Sequence, residues 1–491
     1  MTTAVCKQRI EYGDFQTPNV LARAVCARLT AAGIFPDAII EPTCGIGSFL
    51  FAAAQEFPNV QNLFGFEINA TYLDTLRNHI NAQSISPRIH LQQADFFATN
   101  WKTIFTQIPG RLLVIGNPPW VTNAGQSVIG GNNLPEKSNF LGQNGFDAIS
   151  GKANFDISEW MFLEILHQLR GRNADVAMLV KTSTARRVLV YAERRQDTIY
   201  DAFLVGIDTK KHFGVAVDAC LLVIRINPAE TFCGNYTIYD NFEAKLGKKI
   251  SHRHGITIAD LDAFERGSFL FGNSPQKWRS GIKHDASPIM ELTRTKIGYK
   301  NGIDEIVQLE ETYLYPLFKG SDIANDREWR DKFVLVTQCN VGEPTEIIQE
   351  RAPLTWAYLH SHANRFDLRS STIYTNKPRF SIFGVGDYTF RPWRIAICSL
   401  YKSLRFRLIP PINDRPVMFD DTVYYLSFDT KNEATETLKY LQSQSATDFL
   451  SSLIFWDEKR PIKTSILNTL DWSNLAHSMS IQNITKQLEL I

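Results

Sequence analysis

The chain lacks any apolar run long enough to cross a membrane. Runs such as 112–115 and 219–226 are strand-sized, whereas a spanning helix needs about 20 consecutive apolar residues. It also lacks an excess of either charge, with 52 Lys and Arg against 51 Asp and Glu. Net charge therefore names no partner, and affinity for a polyanion must come from local clusters of basic side chains. Cysteine is sparse and scattered. Cys6, Cys26, Cys44, Cys220, Cys233, Cys339 and Cys398 form no CxxC pair and no Cys/His group with zinc spacing, which argues against a metal site and for reduced thiols. The polar, charged N-terminal stretch has no signal-peptide pattern. A soluble cytoplasmic protein with no membrane segment is expected.

What is present is a globular composition, 44% hydrophobic and 21% charged over 491 residues, too long for one ordinary core. Short apolar runs alternate with amphipathic stretches between about 15 and 230. Residues 38–41, 63–67, 89–92, 112–115 and 174–180 read as buried strands. Residues 20–32, 49–57, 72–81 and 157–169 read as helices. This alternation implies βαβ units and a doubly wound, mostly parallel sheet. The pair 202–207 and 219–226 reads as an antiparallel hairpin at the sheet edge. Residues 121–152, rich in Gly, Asn and Ser, read as a long loop, and such loops are usually functional. After about 245 the alternation gives way to shorter β-like segments, so domains of 1–245 and 246–491 are expected, the second mixed α+β.

Glu41-Pro42-Thr43-Cys44-Gly45-Ile46-Gly47-Ser48-Phe49 follows a buried strand and opens a helix. Its glycines let backbone approach a ligand. Glu67 ends the next strand, where a carboxylate can accept both hydroxyl protons of a ribose. Asp95 and Phe96 end the third, offering an acceptor and a ring to an adenine. All three lie at the carboxyl edge where this architecture binds ligands. Together they mark a nucleoside site. Asn117-Pro118-Pro119-Trp120 follows the fourth strand. An aromatic amine is a poor nucleophile because its lone pair is delocalised. The Asn117 oxygen and the Pro118 carbonyl can accept its two hydrogens and aim that lone pair, while Trp120 stacks on the ring.

In this order the motifs resemble the amino-methyltransferases of DNA, specifically the γ group of adenine methyltransferases. The resemblance runs from Phe15-Gln16-Thr17-Pro18 through Glu41–Phe49, Glu67, Ala94–Phe97 and Asn117–Trp120 to Phe213 in His212-Phe213-Gly214-Val215. It implies a Rossmann-like methyltransferase sheet with an antiparallel last strand, and S-adenosylmethionine as cofactor. The cofactor would be held by Thr17, Glu41, Cys44, Gly45, Gly47, Glu67, Asp95, Phe96 and Asn117. It implies catalysis by Asn117, Pro118 and Trp120 on a flipped-out adenine, with Phe213 against the base. Trp120 departs from the more usual Tyr or Phe. Carbon-5 methylation of cytosine is disfavoured, since no cysteine follows a proline.

The second half reads as the DNA reader. Residues 365–407 carry Arg365, Arg369, Lys377, Arg379, Arg391, Arg394, Lys402, Arg405 and Arg407 against Asp367 and Asp387, with aromatic residues interleaved. Such a local basic excess suits phosphate contacts, and Arg391 and Arg394 are taken as substrate-binding. Tyr299–Gly302 and Tyr315–Asp322 resemble the start of target-recognition domains. A monomeric modification enzyme acting on double-stranded DNA, beside a separate restriction endonuclease, is expected. RNA adenine and protein glutamine are the rival targets, and a non-catalytic DNA-binding module is the rival class.

Overall fold

The computed structural model describes residues 16–82, 88–121 and 156–478. Of the expected features, Phe15 and the loop beyond Val121 lie outside the described residues. Chain contacts divide the protein into two units, 1–261 and 262–491.

The first unit is built on ten strands: Ala38–Glu41 (β1), Asn62–Glu67 (β2), Ile89–Gln93 (β3), Leu112–Gly116 (β4), Ala174–Lys181 (β5), Ile199–Ile207 (β6), Ala219–Ile226 (β7), Asn235–Tyr239 (β8), Lys248–Arg253 (β9) and Ile256–Ile258 (β10). Their order is β10-β9-β8-β6-β7-β5-β4-β1-β2-β3. The strands β3, β2, β1, β4 and β5 run parallel, and β7 lies antiparallel between β5 and β6. Strands β1 and β4 are buried throughout, which explains their unbroken apolar runs: both faces are covered. The connections are Asn19–Ala31 (α1, ahead of β1), Ser48–Glu56 (α2), Ala70–Ala82 (α3), Trp101–Gln107 (α4), Ile157–Gln168 (α5), Thr182–Arg194 (α6) and Thr209–Phe213 (α7). From β1 the chain winds outward to β3, then returns to β4 on the other side of β1. That reversal opens the crevice where ligands of such sheets bind.

Two expectations are corrected. The β6–β7 pair is not an edge hairpin, because β8 pairs with β6 at Phe203–Val205. Those residues are buried on both faces and need a covering strand. Residues 248–258, assigned from sequence to the second domain, form β9 and β10 of the first sheet. In β9 two exposed lysines precede two buried residues, so the alternation that marks a half-buried strand is missing. Helix α6 escaped the sequence reading although Ala185, Val188, Leu189 and Ala192 bury one helical face at the spacing that announces such a helix.

The second unit is mixed α+β. A six-stranded sheet (Ile306–Val307, Gly298–Lys300, Glu291–Thr295, Lys332–Leu335, Leu314–Phe318, Met418–Phe419) and a four-stranded one (Arg279–Ser280, Val423–Phe428, Trp393–Cys398, Arg407–Ile409) carry its cores. Among the described residues, no helix is long and apolar enough to cross a membrane.

Candidate active site

Strand ends β1, β2 and β4 bring Glu41, Glu67 and Asn117 to one edge of the sheet, and the turn after β3 adds Asp95. The glycine turn is fixed from both sides. The Cys44 N–H donates to the Phe66 carbonyl at 2.8 Å, and the Gly47 N–H donates to the Cys44 carbonyl at 2.7 Å. Gly45 and Gly47 have φ of 50° and 87°, the left-handed region that glycine enters without steric cost. A Cβ on Gly47 would also stand 2.4 Å from Leu76 Cδ1, so this glycine lets α3 close on the turn. Glu67 spans the turn, accepting from Gly45 N–H at 2.8 Å and Asn69 N–H at 2.9 Å.

Glu41 is 3% exposed. Burial, reinforced by the charge of Glu67 and opposed by the Leu50 N–H, holds its carboxyl well above the ordinary carboxylate value. Its Oε2 is buried with no hydrogen-bond partner among the described residues. A buried acceptor left unmade costs roughly 1–3 kcal/mol, so this atom calls for a donor. Burial and the neighbouring Glu41 and Glu67 charges also push the Cys44 thiol up. Its side chain packs in the core as filler, and only its backbone takes part in the turn's hydrogen bonds.

Asp95 Oδ1 accepts from Phe97 N–H at 2.9 Å, shaping the turn after β3. Phe96 is corrected: it is 6% exposed and packs against Trp101, Trp160 and Phe97. Aromatic packing has claimed the ring expected to meet an adenine. Phe97 and Trp160, both half-buried and 5.3 Å apart, are the accessible rings of this cluster. In the sequence Trp160 reads as part of one face of α5, and nothing there marks it as a ring of the site.

Beyond β4, Asn117 Nδ2 donates to Thr17 Oγ1 at 3.3 Å. The two motifs, 100 residues apart, therefore meet. Trp120 is also corrected. It is 7% exposed, its indole N–H donates to the Leu179 carbonyl at 3.0 Å, and it meets Phe213 edge-on at 5.3 Å. The indole is anchored in the core because its N–H needs a buried acceptor. Half-buried Phe213 is the more open ring of the pair. Lys181 and Asp156, absent from the sequence reading, also reach this turn: Lys181 Nζ donates to the Trp120 carbonyl at 3.0 Å and to Asp156 Oδ2 at 2.6 Å.

In the second unit the basic stretch divides. Arg391 is exposed, with Asp429 at 3.7 Å. Arg394 is fully buried, which corrects its assignment to a DNA-binding surface. Its guanidinium donates to the Thr389 carbonyl at 2.6 Å and the Trp393 carbonyl at 3.3 Å and lies over the Tyr425 ring. Burial pulls its pKa down to about 10. Arg369 donates to the carbonyls of His284, Ser381 and Arg379, and Arg407 to those of Asp322 and Arg327. These three arginines are internal struts. If the exposed Arg391 meets a phosphate, Arg391→Ala should weaken duplex binding at all sequences and flatten its salt dependence by about one unit. Arg394→Met, if folded, should leave both unchanged. Titrations of cognate and scrambled duplexes at several salt concentrations decide, and an unchanged slope in Arg391→Ala removes it from the surface.

No family model matches the chain. Over 477 residues, 96% of this chain and 98% of the relative, it is 48% identical to the type II methyltransferase M.NspV of Nostoc sp.. The type IIL restriction-modification enzyme MmeI, solved in complex with DNA, matches with a TM-score of 0.53 at 13% identity, over 94% of this chain and 65% of that one. A likeness at that identity concerns the fold.

Proposed function

The chain belongs to the type II methyltransferases, and from that membership and the turn at Asn117 we propose that it methylates the N6 amino group of adenine in double-stranded DNA. S-adenosylmethionine is the cofactor, and it supplies an electrophilic methyl group. The residues present fit it. Glu41 Oε2, a buried acceptor without a donor, suits the ammonium of the methionine moiety. Glu67, which accepts from the Gly45 and Asn69 N–H groups, suits the ribose hydroxyls as a carboxylate at the end of β2. Asp95 and the Phe97–Trp160 rings suit the adenine, and Thr17 joins this region to Asn117.

The observation that carries the reading is the turn itself. Asn117 stands at the carboxyl end of β4, between the Glu41 strand and the β5 edge, on a backbone stiffened by two prolines. Its side-chain oxygen and the Pro118 carbonyl accept the two hydrogens of the target amine, directing the nitrogen lone pair outward. No base is needed before transfer. A base within a duplex must first be extruded, and Phe213, edge-on to Trp120, offers it an aromatic surface. The reading extends to a cytoplasmic, monomeric modification enzyme that protects the sites of a separate restriction endonuclease.

The test is to incubate the protein with tritiated S-adenosylmethionine and duplex DNA, then separate the digested nucleosides. Label is expected on N6-methyldeoxyadenosine. Label on N4-methyldeoxycytidine, or on RNA alone, would overturn the target, and no label on any nucleic acid would overturn the activity.

A further inference from the structure

Lys181 is the last residue of β5, at the sheet edge that carries Asn117. Its ammonium sits between two acceptors, the Trp120 carbonyl at 3.0 Å and Asp156 Oδ2 at 2.6 Å. Asp156 cannot swing away. It is 3% exposed, and its other oxygen accepts from the Ser158 N–H at 3.1 Å and the Ser158 hydroxyl at 2.5 Å, capping α5. One residue further on, the Ile157 N–H donates to the Val121 carbonyl at 2.9 Å. The Trp120 indole is tied to Leu179, two residues before Lys181 on the same strand. The turn is therefore fastened at two consecutive carbonyls, those of Trp120 and Val121, and at one side chain.

The backbone converts that fastening into aim. Peptide planes are rigid, and Pro118 and Pro119 have fixed φ. Between the Asn117 Cα and the Trp120 carbonyl, little is left to turn except the ψ angles and the torsions of Trp120 itself. Holding the Trp120 carbonyl removes most of that freedom. Bulk packing does not ask for an ammonium here, since an apolar side chain could fill the same strand end. What lysine adds is a charged donor whose position a buried carboxylate fixes.

We propose that Lys181, set in place by Asp156, is a positioning residue for methyl transfer: by holding the Trp120 carbonyl it aims the Asn117 oxygen and the Pro118 carbonyl at the target amine. The inference rests on the reading of residues 117–120 as the turn that receives that amine. Displacement of such acceptors by about 1 Å lowers rates by about 10²-fold while leaving binding energy nearly intact.

The experiment compares Lys181→Met, Lys181→Arg, Asp156→Asn and the double variant Asp156→Asn/Lys181→Met in the full chain. Single-turnover methylation, calorimetric affinity for S-adenosylmethionine, duplex affinity, melting temperature and the fluorescence of 2-aminopurine at the target adenine are measured. Lys181→Met is expected to slow methyl transfer by about 10- to 100-fold, with both affinities within about threefold of wild type and base extrusion retained. Lys181→Arg should recover most of the rate. Lys181→Met leaves a buried carboxylate uncompensated and so risks the fold, whereas the double variant removes both charges and should remain slow. A wild-type rate in the folded double variant overturns the proposal. So does a parallel fall in rate, both affinities and melting temperature across the set, which would make the pair purely structural. A wild-type rate in Asn117→Ala would instead overturn the underlying assignment of the turn.

Discussion

Alanine at position 117 is expected to lower the single-turnover rate of methyl transfer by about 10²–10³-fold, or roughly 3–4 kcal/mol in the barrier. Affinity for S-adenosylmethionine should change only a few-fold. The size of the effect follows from where the side chain acts. An amine conjugated to a purine becomes nucleophilic only as its hydrogens are drawn out of the ring plane, and a fixed acceptor does this without reorganising at the moment of reaction. Asn117 is held at the sheet edge by its place after β4 and by its contact with Thr17, so alanine removes the acceptor and leaves the turn. Tritiated-methyl transfer under enzyme excess gives the rate, and calorimetry gives the affinity. A folded variant with the wild-type rate would remove Asn117 from catalysis.

Glu41→Gln is expected to weaken S-adenosylmethionine binding by about 30-fold or more, because removing the charge of one member of a buried charged pair typically costs about 2–5 kcal/mol. The direction of its pKa makes a sharper prediction. With a folded pKa raised by burial and by Glu67, Glu41 gives stability to the free protein that is present below the ordinary carboxylate value and lost as pH rises towards the raised one. Pairing with an ammonium requires the anion, so at pH below the raised value cofactor binding should release a proton, and affinity should climb with pH until Glu41 ionises unaided. Calorimetry in buffers of different ionisation enthalpy should show that proton for the wild type and not for Glu41→Gln. The variant without cofactor should melt higher than wild type by a margin that widens with pH. An unchanged affinity, or the same proton count in both, would place the ammonium elsewhere.

The strands β1 and β4 were legible almost to the residue, because burial on both faces writes an unbroken apolar run into the sequence. The motif order alone puts Glu41, Glu67 and Asn117 at one sheet edge. The failures share a physical cause, since one-dimensional pattern carries no direction. Arg391 and Arg394 read alike, yet one faces solvent and the other spans a core, where backbone carbonyls replace water around its guanidinium. Phe96 and Phe97 are adjacent aromatics, and only the packing of Trp101 and Trp160 decides which is enclosed. Lys181 was missed because it looks like the polar punctuation that ends any buried strand. The helix 182–194 is different in kind: Ala185, Val188, Leu189 and Ala192 write its buried face into the sequence in full.

The extra strands beyond β6 bear on how the protein stays apart from its own copies. Without β8, the apolar strand at 199–207 would offer an unpaired row of amides and carbonyls, a template for joining the sheet of another copy. Strands β8 to β10 take up that row. The sheet then tapers through Lys248, Lys249, His252 and Arg253 to a last strand of only three residues, Ile256–Ile258. At the opposite margin β3 carries His90, Gln92 and Gln93. Each border of the sheet is thus short or polar, which leaves the sheet of another copy little apolar strand to pair with.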